Sequence, residues 1–282
     1  MRITGDIKEI RDIVSGWKRD GDKVGFVPTM GYLHEGHLSL CEIAKTRAKR
    51  LVVSIFVNPT QFDRKDDLDN YPKDLMRDFD LCKRVGADLI FTPSNETMYP
   101  KNYATFVNVE GMTDRLCGAT RPGHFRGVTT VVSKLFNVVA PDLAVFGEKD
   151  YQQLKVIERM TIDLNMPIEI IAGLTTRESD GLAMSSRNAR LSPEDRVTRA
   201  LCLRKALLDA KKAADDGERD CAKLKEIVEK VLLAHNPDKI DYVEIFHPET
   251  LAPITTIGED GARMALAVFV GAVRLIDNIQ LK

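Results

Sequence analysis

The chain has 282 residues, 44% of them hydrophobic and 29% charged, which excludes wholesale disorder and leaves room for two unequal domains, ordinary domains running to roughly 100–200 residues. Lys and Arg number 41 against 42 Asp and Glu, a net charge of −1, so no long-range field exists to gather nucleic acid or an anionic membrane. Any anionic ligand must be held by a local site.

The opening residues include Arg2, Asp6, Lys8, Glu9, Arg11 and Asp12 where an export signal would need an apolar stretch, so the chain is expected to stay in the cytoplasm where it is made. Short runs rich in Val, Ile and Phe then alternate with longer amphipathic stretches, the pattern of βαβ units. Strands are expected over residues 24–29, 51–57, 88–92, 143–147 and 168–172, most ending in Gly, Pro or Asn. Together they would make a mainly parallel sheet buried on both faces. The helices between them are expected over 37–49, 72–85, 128–139 and 151–164, with Val128, Val131, Val132, Leu135 and Val138 at helical spacing.

Beyond residue 172 the character changes. A polar stretch over 175–190 leads to Ser192-Pro193-Glu194-Asp195, a helix start with Pro in first position and acids in the first turn. Charged helices are expected over 193–214 and 219–235, then strands over 242–246, 265–270 and 273–276. The fold class is therefore α/β: a Rossmann-like, mainly parallel sheet with helices on both faces over residues 1–178, plus a smaller C-terminal α+β lid domain over 179–282. The longest uncharged apolar run near the C-terminus, 265–273, is about half of the roughly 20 residues that a membrane span needs, and reads as a buried strand. Cys41, Cys82, Cys117, Cys202 and Cys221 are odd in number and contain no C-x-x-C pair, which fits reduced thiols better than a disulfide framework or a zinc site.

Three segments carry chemistry, and each follows the parallel-sheet pattern in which ligands sit beyond the carboxyl ends of strands. The first strand runs into Thr29-Met30-Gly31-Tyr32-Leu33-His34-Glu35-Gly36-His37. Two of the chain's five histidines stand three apart at a glycine-containing turn that opens a helix, a setting that accepts phosphate. Neutral imidazoles there can donate hydrogen bonds to phosphoryl oxygens as charge builds on them. Two surface histidines are the plainer alternative; zinc ligation is set aside because His-Glu-Gly-His lacks the H-E-x-x-H spacing. A second strand end gives Gly147-Glu148-Lys149-Asp150-Tyr151-Gln152-Gln153, with Lys149 a point charge at the sheet edge and Asp150 a cap for the following helix. The third is the polar loop Asp180-Gly181-Leu182-Ala183-Met184-Ser185-Ser186-Arg187-Asn188, whose hydroxyls and guanidinium suit closure over a polyphosphate.

The His-x-Gly-His turn followed by a Met-Ser-Ser-Arg loop resembles the nucleotidyltransferase superfamily, and the chain as a whole resembles the pantoate–β-alanine ligase family. Further blocks in that family's order are Ser54 to Phe62, Asp69-Asn70-Tyr71-Pro72, Arg121 to Val128 and Gly147 to Gln153. The resemblance implies ATP-dependent joining of (R)-pantoate to β-alanine through a pantoyl adenylate, with AMP and pyrophosphate released and Mg²⁺ accompanying ATP. It places ATP contacts on Met30, Gly31, Tyr32, Leu33, His34, Glu35, Gly36 and His37, on Gly147, Glu148, Lys149 and Asp150, on Thr176, and on Met184, Ser185, Ser186 and Arg187. His37, His34, Lys149, Ser185, Ser186 and Arg187 are the implied catalytic set. Gln61 and Gln153 match pantoate-holding positions, Gln61 also lying near β-alanine, with Asn58 and Tyr71 as further candidates and Met30 and Phe62 as apolar wall. A homodimer is implied, and no nucleic acid, membrane or resident metal. Tyr32 departs from the smaller residue many members carry. The competing readings are a superfamily adenylyltransferase with no amine-dependent step and an RNA-binding relative of the synthetases, the latter disfavoured by the neutral charge.

Overall fold

The computed structural model describes residues 1–282. Its larger sheet is wholly parallel and contains β1 (Arg2–Thr4), β2 (Val24–Thr29), β3 (Arg50–Ile55), β4 (Leu89–Phe91), β5 (Leu143–Gly147) and β6 (Glu169–Gly173), ordered β1-β4-β3-β2-β5-β6. The chain begins its central winding at β2, moves outward through β3 and β4, then returns to β5 on the other side. The order therefore reverses between β2 and β5, the place where such sheets open a crevice. These two strands are bonded only at Gly25↔Leu143 and Phe26↔Ala144. Pro28 has no N–H to continue the ladder, and the strands part above it.

Helices cover both faces. Ile7–Arg19, His124–Val139 and Tyr151–Asp163 bury an apolar cluster that includes Phe26, Leu89, Phe136 and Leu154; Glu35–Arg47 and Leu75–Arg84 bury the other, around Val27, Leu51, Val53 and Val145. The Pro59–Gln61 turn rests directly on the His124–Val139 helix at Gly127. A Cβ there would lie 2.4 Å from the Thr60 carbonyl oxygen and 2.7 Å from Gln61 Cα, both backbone atoms.

The smaller sheet is antiparallel: β7 (Lys239–Phe246), β8 (Ala262–Val270) and β9 (Val273–Leu281), with β8 in the middle. Helices Cys202–Asp215 and Cys221–Leu233 close over it, burying Leu207, Val228, Leu266 and Val268. Between the two sheets, Arg177 grips Asp277 through two bonds of 2.7 and 2.9 Å. Asn278 of β9 donates to the carbonyls of Glu148 and Lys149 at 2.9 and 3.0 Å.

All the expected strands and most helices form, with shifted ends. β1 and the helix Ile7–Arg19, which Asp6 caps through the Glu9 amide, lie where sequence reading saw only charge. The helix expected over 128–139 starts at His124, because Gly123 takes a left-handed conformation that admits an earlier start. The stretch expected over 193–214 is not one helix. A short turn at Pro193–Asp195 gives way to a π-helical segment, Arg196–Ala200, before Cys202–Asp215. All five cysteines are buried and unpaired with one another.

Replacing Gly127 with Ala should cost about 1–3 kcal/mol, the usual penalty for forcing extra volume into a packed contact, because neither backbone neighbour has a rotamer to escape into. Gly16→Ala, in the Ile7–Arg19 helix where a Cβ would meet nothing within 4 Å, should instead stabilise by about 0.5–1 kcal/mol. Urea midpoints at unchanged m-value read both signs.

Candidate active site

The turn after β2 is built to aim the two histidines. Gly31 and Tyr32 take consecutive left-handed conformations, φ 81° and 51°, the second a strain for a side-chain-bearing residue. The Asp78 carboxylate, from the Leu75–Arg84 helix, offsets that strain by accepting the Tyr32 and Leu33 amides at 2.8 and 2.7 Å. The helix then begins at Glu35, and the His34 N–H donates to His37 Nδ1 at 3.3 Å. His37 Nδ1 is thus the acceptor, which puts the proton of the neutral ring on Nε2. The rings lie 4.0 Å apart between centroids. Gly36 is needed here, since a Cβ would stand 2.9 Å from His34 Nδ1.

Both imidazoles are neutral. Burial, then the positive charge of Lys149, pushes His34 down to about 4. Burial, then His34 and Lys149, holds His37 well below the ordinary histidine range. Lys149 itself stands at the end of β5, its carbonyl fixed by Asn278 and its Nζ 3.6 Å from Asp150. Asp150 occupies the cap position of the Tyr151–Asp163 helix but, contrary to the expected cap, makes no capping bond; its carboxylate faces the cleft beside Lys149.

The third segment folds as a tight hairpin. Met184 N–H donates to the Thr176 carbonyl, Arg177 pairs with Ala183, and Thr176 Oγ1 lies 3.0 Å from Ser39 Oγ. Ser186 is buried, and its hydroxyl donates to the Tyr32 carbonyl at 3.3 Å, joining this loop to the histidine turn. Ser185 caps Arg187 through its amide.

Two confluent chambers of about 230 and 340 Å³ result. The first is lined by Met30, His34, Gly36, His37, Asn58, Gln61, Phe62, Tyr71, Gly147, Thr176, Met184 and Ser186. Arg121, His124, Lys149, Asp150, Gln153, Ser185 and Arg187 line both. Of the remaining sequence candidates, Gly31, Tyr32 and Leu33 lie behind the wall, Leu33 being buried in the core. Glu35 points outward to Arg84, and Glu148 is taken by Arg263.

Gln61 is buried, its Oε1 accepting from Asn58 Nδ2 at 3.0 Å. Asn58 also donates to the Gly127 carbonyl and accepts from Thr60 and Tyr99. Its side chain is therefore committed to holding Gln61. Tyr71 meets Phe62 edge to face at 5.7 Å. Gln152 is locked onto Cys117, Met112 and Arg115, which leaves Gln153 as the amide facing the cleft.

Sequence reasoning assigned no role to His124 and Arg121. Burial, then Arg121, pushes His124 down to about 3. Its Nδ1 lies 2.7 Å from the Gln61 carbonyl and its Nε2 3.2 Å from an Arg121 nitrogen, so Arg121 donates to Nε2 and Nδ1–H to the carbonyl. The available signal was an Arg and a His flanking Pro-Gly at a helix start.

The family model for pantoate-beta-alanine ligase matches residues 2–280. The pantothenate synthetase of Thermoanaerobacter sp. (strain X514) is 53% identical over 279 residues, 99% of this chain and 98% of that protein. The crystal structure of the Thermus thermophilus pantothenate synthetase superposes with a TM-score of 0.94 at 46% identity, covering 100% of this chain and 99% of the other. The Francisella tularensis pantoate-beta-alanine ligase, solved in complex with Beta-gamma ATP and beta-alanine, gives 0.79 at 32% identity, covering 99% and 97%.

Because the folded chain holds these histidines below their unfolded range near 6.5, their contribution to stability is intact above pH 6.5 and lost as pH falls, the unfolded chain binding protons that the folded one refuses. Melting temperature of the ligand-free protein should fall from pH 6.5 to 5. Over the same range NMR should find the rings of His34, His37 and His124 still neutral. A protonated ring at pH 5 would contradict the burial assigned to it.

Proposed function

The chain belongs to the pantoate–β-alanine ligase family and, from that premise, we propose how its cleft performs the ligation in two half-reactions. Pantoate carboxylate attacks the α-phosphorus of ATP, pyrophosphate leaves, and a pantoyl adenylate stays bound. The β-alanine amine then attacks the acyl carbon and AMP departs. The carrying observation is the convergence of neutral His34, neutral His37 and Lys149 at the point where β2 and β5 part.

The residue types fit the charge flow. As the P–O bond breaks, charge moves onto pyrophosphate, and donors that carry no charge beforehand gain most in the transition state. His37 Nε2–H is such a donor; His34 and Ser185 add others, Ser186 ties their loop to the histidine turn, and Lys149 and Arg187 supply fixed positive charge. Gln61, Gln153 and the Met30, Phe62 and Tyr71 surfaces suit a small carboxylate with two hydroxyls and a dimethyl carbon, Asn58 setting the Gln61 amide. No covalent nucleophile is needed, because the mixed anhydride is itself the activated acyl group. The cleft must exclude water, which would hydrolyse it.

Mg²⁺ enters as the ATP complex, since such an ion held by phosphates needs only one or two carboxylates. Asp150 is the cleft carboxylate not engaged with an arginine, whereas Asp63, Asp67, Asp241 and Asp277 each hold one. Residues 1–178 form the nucleotide and pantoate domain and residues 179–282 the lid, with a cytoplasmic location and a homodimer. Supporting the dimer is the exposed Phe106 on the segment over 103–110, an apolar surface for a partner copy.

ATP with pantoate alone should exchange labelled pyrophosphate into ATP, and ATP with β-alanine alone should not. Adding β-alanine to the pantoate reaction should release AMP and pantothenate in equal amounts. Formation of ADP, or exchange without pantoate, would overturn the adenylate route, and indifference to the amine would leave a plain adenylyltransferase.

His37→Ala and Lys149→Ala should each lower kcat roughly 10²-fold, the loss expected for one transition-state donor. Gln61→Ala and Gln153→Ala should raise the pantoate KM far more than the ATP KM, because the substrate's polar groups lose paired amides. Steady-state titration of each substrate separates the two groups.

A further inference from the structure

Asp67 has no part in the chemistry above, yet it joins two walls of the cleft. It lies in the five-residue helix Lys65–Asp69. Its carboxylate accepts Arg187 Nη2 at 2.8 Å and Nε at 3.5 Å, and Arg190 Nη1 at 2.9 Å. Arg187 and Arg190 stand three apart in a 3₁₀ helix, Ser186–Arg190, where residues i and i+3 eclipse, so one carboxylate reaches both. All three side chains are mostly shielded, with 20–24% exposure, and partial desolvation strengthens such pairs.

Asp67 also sits midway along the segment that carries the pantoate side. Phe62 and Tyr71 close the base of that segment edge to face, and the Arg187 guanidinium carbon lies 5.9 Å from the Tyr71 ring centroid. A guanidinium has five N–H donors; Asp67 engages those on Nε and Nη2, leaving others for the two chambers that Arg187 lines.

We infer that Asp67 is a positioning residue for adenylation: it fixes the Arg187 guanidinium, with Arg190 as a second strut, so that its free N–H groups meet the phosphates. This rests on the phosphate role proposed for Arg187. Electrostatics alone argues the opposite sign, since removing a carboxylate beside a polyphosphate site would favour ATP. Orientation wins if misaiming the donor costs more than the added positive charge gains.

Pyrophosphate exchange with ATP and pantoate provides the test, on Asp67→Asn, Asp67→Glu, Arg187→Ala and the double variant Asp67→Asn/Arg187→Ala, each checked for folding by circular dichroism. Asp67→Asn should lose about tenfold or more in kcat/KM for ATP, Asp67→Glu should recover part of that, and Asp67→Asn should add nothing to Arg187→Ala, the non-additivity of residues acting through one another. Wild-type or improved exchange in Asp67→Asn, with Arg187→Ala defective, would overturn the inference and leave the role of Arg187 standing. An equal further loss in the Arg187→Ala background would also overturn it, making Asp67 merely structural. Wild-type exchange in Arg187→Ala would instead remove the phosphate role on which it rests. If Asp67→Asn failed to fold, exchange by Asp67→Glu no better than that of Arg187→Ala would overturn the inference too, and an intermediate rate would support it.

Discussion

Everything chemical in this protein depends on two neighbouring parallel strands that cannot stay together. β2 and β5 share only two residue pairs before Pro28, with no amide to give, ends the ladder. The chain order reverses between these strands, so the helices that follow them go to opposite faces and no crossover covers the gap. The backbone turns after both strands therefore open toward each other. His34 and His37 come from one side, and Lys149 and Asp150 from the other, without any long loop having to be ordered to bring them together.

That crevice also fixes the protonation of its occupants. The histidines sit where burial and the Lys149 charge oppose a proton, so they are available as neutral donors at the pH where a carboxylate substrate is ionised. The turn that carries them is strained at Tyr32, and Asp78 stabilises it with both carboxylate oxygens. The lysine on the opposite side is steadied from elsewhere in the chain, by Asn278 of β9. The smaller sheet thus reaches the proposed phosphate site through backbone carbonyls, while its own Asp241 and Asp277 line the larger chamber already paired with Arg274 and Arg177.

Much of this was legible in the sequence because it is local. Strands 24–29 and 143–147 announce themselves by apolar runs ending at Gly or Pro, and His-x-Gly-His and Met-Ser-Ser-Arg are contiguous motifs. The structure brings His34, His37, Gln61, Lys149, Gln153, Ser185 and Arg187 to one cleft. What was illegible depends on pairing at a distance. β1 is three residues long and gains its identity only from β4. Asp78 and Asn278 look like surface polar residues until the fold delivers them to Tyr32 and Lys149. Asp150 reads as a cap because of its place before a helix, but its backbone angles carry the carboxylate away from the amides it would have bonded. His124 could be seen but not interpreted, since its role depends on the Gln61 carbonyl lying against it.

The two sides of the cleft are held by different kinds of force, and the difference follows from what each must do. The Gln61 side is a neutral hydrogen-bond lattice: Asn58 to Gln61, Asn58 to Gly127, His124 to the Gln61 carbonyl, with Gly127 letting helix and turn touch. Such a lattice is short-ranged and rigid, suited to sorting a small substrate by shape and hydroxyl position. On the other side Arg187 and Arg190 share Asp67, while Arg196 bridges Glu178 and Asp180 beside a π-helical segment. Charge-assisted pairs of this kind are the stronger ones, and a guanidinium held by one carboxylate keeps further N–H groups for a phosphate. A site that admits a triphosphate and then excludes water from an anhydride is served by charge on the side proposed for phosphate and by a neutral lattice on the side proposed for pantoate.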